Sequence, residues 1–179
     1  MRTLRTTIPG ATLSAVLLIT GGAVSAQAAE SVPQAATVTK AQKLAKLKTL
    51  TGNSAGSQNN WFTALGQHRQ NKPAIKQYGF NWNTNYCTKA PEKIPGGYDF
   101  SFPCHRHDFG YRNYKTIAGK AVFKRDHKLR IDQAFLGDMN RVCGRKFWAD
   151  TMTPTQRKKA KAACLSTAKK YYGAVRAID

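Results

Sequence analysis

Apolar positions recur at helical spacing over much of the chain, with polar residues, chiefly lysine, between them. In residues 39–50, Leu44, Leu47 and Leu50 lie three apart with lysines interspersed, which predicts a short amphipathic helix. Residues 54–67 place Trp61 and Leu65 four apart and predict a second. Residues 73–103 hold neither the helical nor the strand period; rich in Asn, Gly, Pro and aromatics, they predict mostly irregular loop. Beyond them the helical period returns. Cys104, His107, Asp108 and Tyr111 fall at i, i+3, i+4 and i+7, so one helix face collects all four. The following helix sets Asp132, Phe135, Leu136, Met139 and Cys143 on one stripe. The last opens on Thr153-Pro154-Thr155-Gln156, a capping box with proline at the first helical position. It should bury Cys164, Ala168, Tyr171, Val175 and Ile178. No segment reads as a convincing strand, so the expectation is an all-α domain.

The first thirty residues follow a different logic. Arg2 and Arg5 precede an apolar run over 11–19 and a small-residue stretch ending Val24-Ser25-Ala26, the pattern of a cleavable export signal. The run is too short and too interrupted to span a bilayer comfortably. This predicts a signal peptide over 1–29, an N-terminal segment or possible propeptide over 30–53, and one catalytic-sized domain over 54–179. Cys87, Cys104, Cys143 and Cys164 make an even count in an exported chain, which implies two disulfides. Sequence alone leaves three pairings open. The helical layout favours Cys87–Cys104 and Cys143–Cys164, the second joining inward stripes of successive helices. The formal net charge is +20, and +18 without Arg2 and Arg5. Such a surface seeks polyanions, and charge alone does not choose between nucleic acid, anionic lipid and acidic polymers.

Charge does sharpen the reading of the few carboxylates. Asp132 stands on a buried stripe, an expensive place for a carboxylate unless it accepts hydrogen bonds. A histidine N–H from the facing helix is a natural donor, and His107 is the candidate; pairing with Arg130 or another nearby cation is the plainer alternative. A His–Asp pair fixes the imidazole tautomer and leaves the other ring nitrogen to take a proton. No serine lies in a nucleophile-elbow context and the cysteines are better used in disulfides. That points to activated water, hence hydrolysis, with an electrophile needed for the developing oxyanion. Asp108, about 100° round the helix from His107, could hold a hard cation such as calcium together with loop carbonyls.

At Cys104-His105-Arg106-His107-Asp108-Phe109-Gly110-Tyr111-Arg112-Asn113-Tyr114 the chain resembles the active-site helix of secreted bacterial and fungal phospholipases A2. Trp82-Asn83-Thr84-Asn85-Tyr86-Cys87 resembles the calcium loop of that family, Arg130-Ile131-Asp132-Gln133-Ala134-Phe135 its second catalytic helix, and Arg141-Val142-Cys143 with Cys164 its second bridge. The resemblance implies an all-α fold with two antiparallel catalytic helices and two disulfides. It implies that His107 draws the proton from a water attacking the sn-2 ester of a glycerophospholipid, with Asp132 orienting His107 and Tyr111 supporting Asp132. Calcium would be held by Asp108, the Tyr86 carbonyl and Asn85. The family usually carries aspartate where this chain has Asn85, so weaker calcium binding is expected. The 120–128 loop is also a few residues longer than expected.

Three readings follow. The first is a secreted, monomeric, calcium-dependent phospholipase A2 acting at bilayer or micelle surfaces and favouring anionic lipid, with no specific nucleic-acid recognition. The second is a basic membrane-binding homologue that has lost turnover, favoured only by Asn85. The third is a zinc protein built on Cys87, Cys104, His105 and His107, disfavoured because histidines at i and i+2 diverge on a helix.

Overall fold

The computed structural model describes residues 37–144 and 152–178, and the expected signal peptide lies outside them. Seven helices stand along the described chain: α1 (Lys40–Leu50), α2 (Ala55–Arg69), α3 (Pro73–Lys76), α4 (Ser101–Ile117), α5 (Lys120–Val122), α6 (Lys128–Gly144) and α7 (Pro154–Ala177). A π-helical turn, Phe123–His127, joins α5 to α6. The only strands among the described residues are β1 (Lys93–Ile94) and β2 (Tyr98–Asp99), paired antiparallel as Lys93↔Asp99 and Ile94↔Tyr98. The fold is helical, as expected. Within the stretch expected to be mostly irregular loop, the structure adds the two-residue hairpin and α3, both too short to show a period in sequence.

Local chemistry accounts for the helix boundaries. Thr39 and Thr153 cap α1 and α7 with complete capping boxes to Gln42 and Gln156, and Pro154 occupies the first turn of α7. In α4, Asp99 Oδ1 accepts from the Ser101 N–H and Pro103 falls within the first turn, where its missing donor costs little. The segment ahead of residue 54 contributes α1 to the packing. Leu47 and Leu50 of α1 are fully buried in a core with Trp61, Leu65, Ile75, Phe80, Trp82, Phe109, Tyr114 and Ile131. A second core gathers Phe100, Cys104, Phe135, Met139, Cys143, Cys164 and Ala168.

The helices α4 and α6 pack against each other and α6 packs against α7. Gly110 permits the first contact: a Cβ there would meet Ile131 Cγ2 at 3.0 Å. The disulfides are Cys87–Cys104 and Cys143–Cys164, the favoured pairing. The first fastens the 82–88 loop to α4; the second fastens α7 to α6. A buried ion pair closes the other side. Arg106 donates to both oxygens of Asp138 at 2.7 and 2.9 Å, and also to the carbonyls of Leu50 and Gly52 and to Ser57 Oγ. It therefore ties the α1–α2 junction to α4 and α6. Of the expected α7 stripe, Cys164 and Ala168 are buried and Tyr171 and Val175 half-buried. Ile178 departs from it: it caps the helix, beyond the last turn, and is 62% exposed.

Candidate active site

Because α4 faces α6, His107 on the first meets Asp132 on the second. His107 Nε2 lies 2.9 Å from Asp132 Oδ1. A carboxylate only accepts, so Nε2 carries the proton and donates, and Nδ1 is left as the bare acceptor nitrogen. Among the described residues nothing bonds to Nδ1. The imidazole is wedged between the rings of Tyr111 (4.2 Å between centroids) and Phe135 (4.7 Å), which fixes its plane. Tyr111 Oη donates to the same Asp132 oxygen at 2.6 Å.

The other oxygen of Asp132 faces two cations. Lys128, one turn earlier on α6, donates to Oδ2 at 3.2 Å, and Arg176, near the end of α7, does the same at 3.2 Å. Asp132 is completely buried. Burial pushes its carboxyl toward a higher pKa, but hydrogen bonds from His107 and Tyr111, with the charge of Lys128, outweigh that and hold it below the usual carboxylate range. Burial, and then the bond to Asp132 and its charge, push the Tyr111 phenol far above its ordinary value, so it remains a donor. Arg130 takes no part: it donates to the Thr51 carbonyl and to Tyr114 Oη.

Residues 82–88 wrap around Asp108. Thr84 Oγ1 and the Asn85 N–H both donate to Asp108 Oδ2 at 2.9 Å. The loop turns through positive φ at Tyr86 (53°) and Thr88 (51°). His105 anchors its start, with Nε2 2.9 Å from the Trp82 carbonyl, and the disulfide anchors its end. The Asn85 and Cys87 carbonyls accept from the Thr88 and Lys89 N–H groups. By contrast, the Tyr86 carbonyl and Asp108 Oδ1 accept no hydrogen bond from the described residues. These two oxygens suit a hard cation, one carboxylate and one carbonyl, to be completed by water or substrate oxygens. Asn85 is placed differently from Tyr86 and Asp108. Its Oδ1 accepts from Arg112 Nη2 at 2.7 Å, and its Nδ2 donates to Thr88 Oγ1. Arg112 also lies 3.8 Å from Asp108 Oδ2.

Among the described residues no three His, Cys, Asp or Glu side chains converge as a metal cluster, and all four cysteines are in disulfides. His105 and His107 point to different partners, as their i, i+2 spacing requires, and the zinc arrangement does not form.

His107 and Asp108 open onto a cavity of about 420 Å³. Its walls are largely apolar: the Cys87–Cys104 bridge, Phe135, and Tyr171, Ala174 and Val175 of α7 with Ile178 just past its end, and Lys89 and Lys115 among the polar members. The Lys115 Nζ stands 4.9 Å above the Tyr111 ring. The sequence did not mark the end of α7 as a cavity wall, and although it allowed a nearby cation on Asp132 it did not single out Lys128 or Arg176. Lys128 had a signal, standing four residues before Asp132 on one helix face; Arg176, 44 residues away, had none.

Comparisons with known proteins point to one family. The profile of the prokaryotic phospholipase A2 family matches residues 57–179. A secretory phospholipase A2 of Arthroderma benhamiae is 38% identical over 63 residues, which is 35% of this chain and 40% of that protein. One from Beauveria bassiana is 41% identical over 63 residues, 35% of this chain and 31% of that protein. The chain thus spans less than half the length of these relatives.

Proposed function

Since the chain belongs to the prokaryotic phospholipase A2 family, we propose that it is a secreted, calcium-dependent hydrolase of the sn-2 ester of glycerophospholipids. The observation that carries this reading is a tautomer-fixed imidazole set at the wall of an apolar cavity beside an oxygen-rich loop. His107 Nδ1 accepts a proton from the attacking water and later returns it to the leaving alcohol. Asp132 holds the ring and stabilises the imidazolium, and Tyr111 keeps Asp132 ionised and in place. The largely apolar walls receive an acyl chain. Asp108 and the Tyr86 carbonyl, with Asn85 beside them, would hold calcium. When bound, that ion would supply positive charge for the phosphate and for the ester oxygen.

The surplus of cations supports docking on anionic lipid, each lysine or arginine near such a surface contributing about 1 kcal/mol. Lys89 and Lys115 at the cavity extend the same preference to the substrate headgroup. Export is supported by the signal pattern at the N-terminus and by the names of the relatives. A second reading, membrane binding without turnover, is favoured by one feature: the Arg112 guanidinium holds the Asn85 oxygen, placing a cation where the loop would recruit one.

One assay separates them: fatty-acid release from mixed-chain phosphatidylglycerol vesicles, in calcium and in EGTA, for wild type and His107→Ala. Release of the sn-2 chain that requires both calcium and His107 supports the enzyme. Vesicle binding with no release at any calcium concentration supports the second reading.

A further inference from the structure

The Asp132 carboxylate divides its two oxygens between different tasks. Oδ1 serves the side chains of α4, His107 and Tyr111. Oδ2 serves Lys128 of α6 and Arg176 of α7. Lys128 Nζ is almost fully buried and makes a second bond, 3.0 Å to the Val175 carbonyl. That carbonyl is one of the last four of α7, which have no partner within the helix. Lys128 therefore caps the end of α7 from below while Arg176 reaches back to the same carboxylate. The residues between and beside these contacts, Ala174, Val175 and Ile178, are the apolar side of the cavity onto which His107 opens. A helix end whose last carbonyls lack partners ordinarily frays. Here it is pinned at two points to the group that orients the imidazole.

We propose that Lys128 and Arg176 are positioning residues that fix the α7 end in register with His107 and so set selectivity for acyl-chain length. This rests on the cavity being the acyl site, as read above. An apolar wall held at constant distance rewards each methylene laid along it; a frayed wall does not. Neither cation needs to touch the ester, since their effect passes through the backbone of residues 174–178.

The test uses binding, so that it does not depend on turnover. Linear alkyl phosphates of six to twelve carbons, below their micelle concentrations and in calcium buffer, are titrated calorimetrically into wild type, Arg176→Gln, Lys128→Met and Arg176→Lys. Wild type should gain about two- to fourfold in affinity per methylene over the covered part of the chain. In Arg176→Gln and Lys128→Met the gain should drop below about 1.5-fold per methylene, with hexyl phosphate affected less than about threefold. Arg176→Lys should restore the slope. Amide hydrogen exchange over 172–178 should quicken in the first two variants and return toward wild type in the third. Arg176 is partly exposed, so its glutamine variant should fold even if Lys128→Met does not. An unchanged slope in Arg176→Gln, an equal loss at every chain length, or no slope in wild type would overturn the proposal. Absence of ester hydrolysis with the slope present and lost as expected would overturn only the catalytic reading.

Discussion

Replacing Asp132 by asparagine keeps the volume and removes the charge at the point where three helices meet. Four donors converge on this carboxylate: His107 and Tyr111 on one oxygen, Lys128 and Arg176 on the other. An amide offers one acceptor oxygen and an NH2 group that must face one of the two donor pairs. If it faces the cations, buried Lys128 loses its counter-charge. Breaking a buried pair by removing one partner costs about 3–5 kcal/mol, and the surviving acceptor should keep the loss at the lower end. A domain of ordinary stability, about 5–15 kcal/mol, stays folded. If the NH2 group instead faces His107, it donates to Nε2, and the proton moves to Nδ1, the nitrogen that must accept from water. Either way the imidazolium loses its stabiliser, so fatty-acid release should fall by about 10²- to 10⁴-fold, the range general-base catalysis supplies. The assay is the initial rate at saturating calcium, on protein whose urea transition shows it folded. A folded Asp132→Asn variant retaining more than a tenth of the wild-type rate would refute the assignment of Asp132 as the orienting partner of His107.

The carboxyl of Asp132 is held below its ordinary value in the folded state, so its contribution is complete above about pH 4 and disappears as pH falls through the folded value. Urea unfolding between pH 4 and pH 2 should therefore lose stability more steeply in wild type than in Asp132→Asn; parallel curves would contradict this. Truncating Asp138→Ala leaves the Arg106 guanidinium, only 3% exposed, without its partner and should cost about 3–5 kcal/mol in urea unfolding; a loss below about 1 kcal/mol would show that the carbonyls of Leu50 and Gly52 suffice. Opening the Cys143–Cys164 bridge as the double alanine variant frees a loop with sequence separation 21 and should cost about 3 kcal/mol, read by the same method. Asn85→Asp restores a negative ligand to the loop and should lower the calorimetric dissociation constant for calcium; no change would remove position 85 from the binding set.

Much of this arrangement was legible because it is written at helical spacing. Cys104, His107, Asp108 and Tyr111 share a face by the 3.6-residue period alone. A carboxylate on the stripe that also carries Phe135 and Met139 signals, from the pattern of residues alone, that a partner must meet it inside the fold. The capping boxes at Thr39 and Thr153 are equally local. What sequence did not reveal is long-range or too short to have a period. Arg106 and Asp138 lie 32 residues apart, and nothing in their neighbours marks either as buried. The hairpin has two residues a side, and α3 has four. The π-helical turn at Phe123–His127 occupies the stretch that looked like a lengthened loop. The fate of Asn85 was beyond sequence as well: its residue type suggested a weakened ligand, whereas its side-chain amide oxygen accepts from Arg112.

The excess of basic residues bears on the site itself as well as on the surface. In a chain with 29 Lys and Arg against 9 Asp and Glu, an ionised carboxylate in the interior readily finds cations. A cation on the oxygen that faces His107 would compete with the imidazole for the same lone pairs. The fold avoids that by topology. The α4 face brings only a histidine and a phenol to Oδ1, and the cations arrive from α6 and α7 on the far side, at Oδ2. Desolvating Asp132 completely is then tolerable, because its charge is balanced without loss of its bond to the ring. The same division explains why the C-terminal helix, which supplies neither member of the His107–Asp132 pair, is nonetheless bonded to it. Arg176 of α7 joins Lys128 in balancing Asp132 from behind, and with it comes the apolar wall of the cavity.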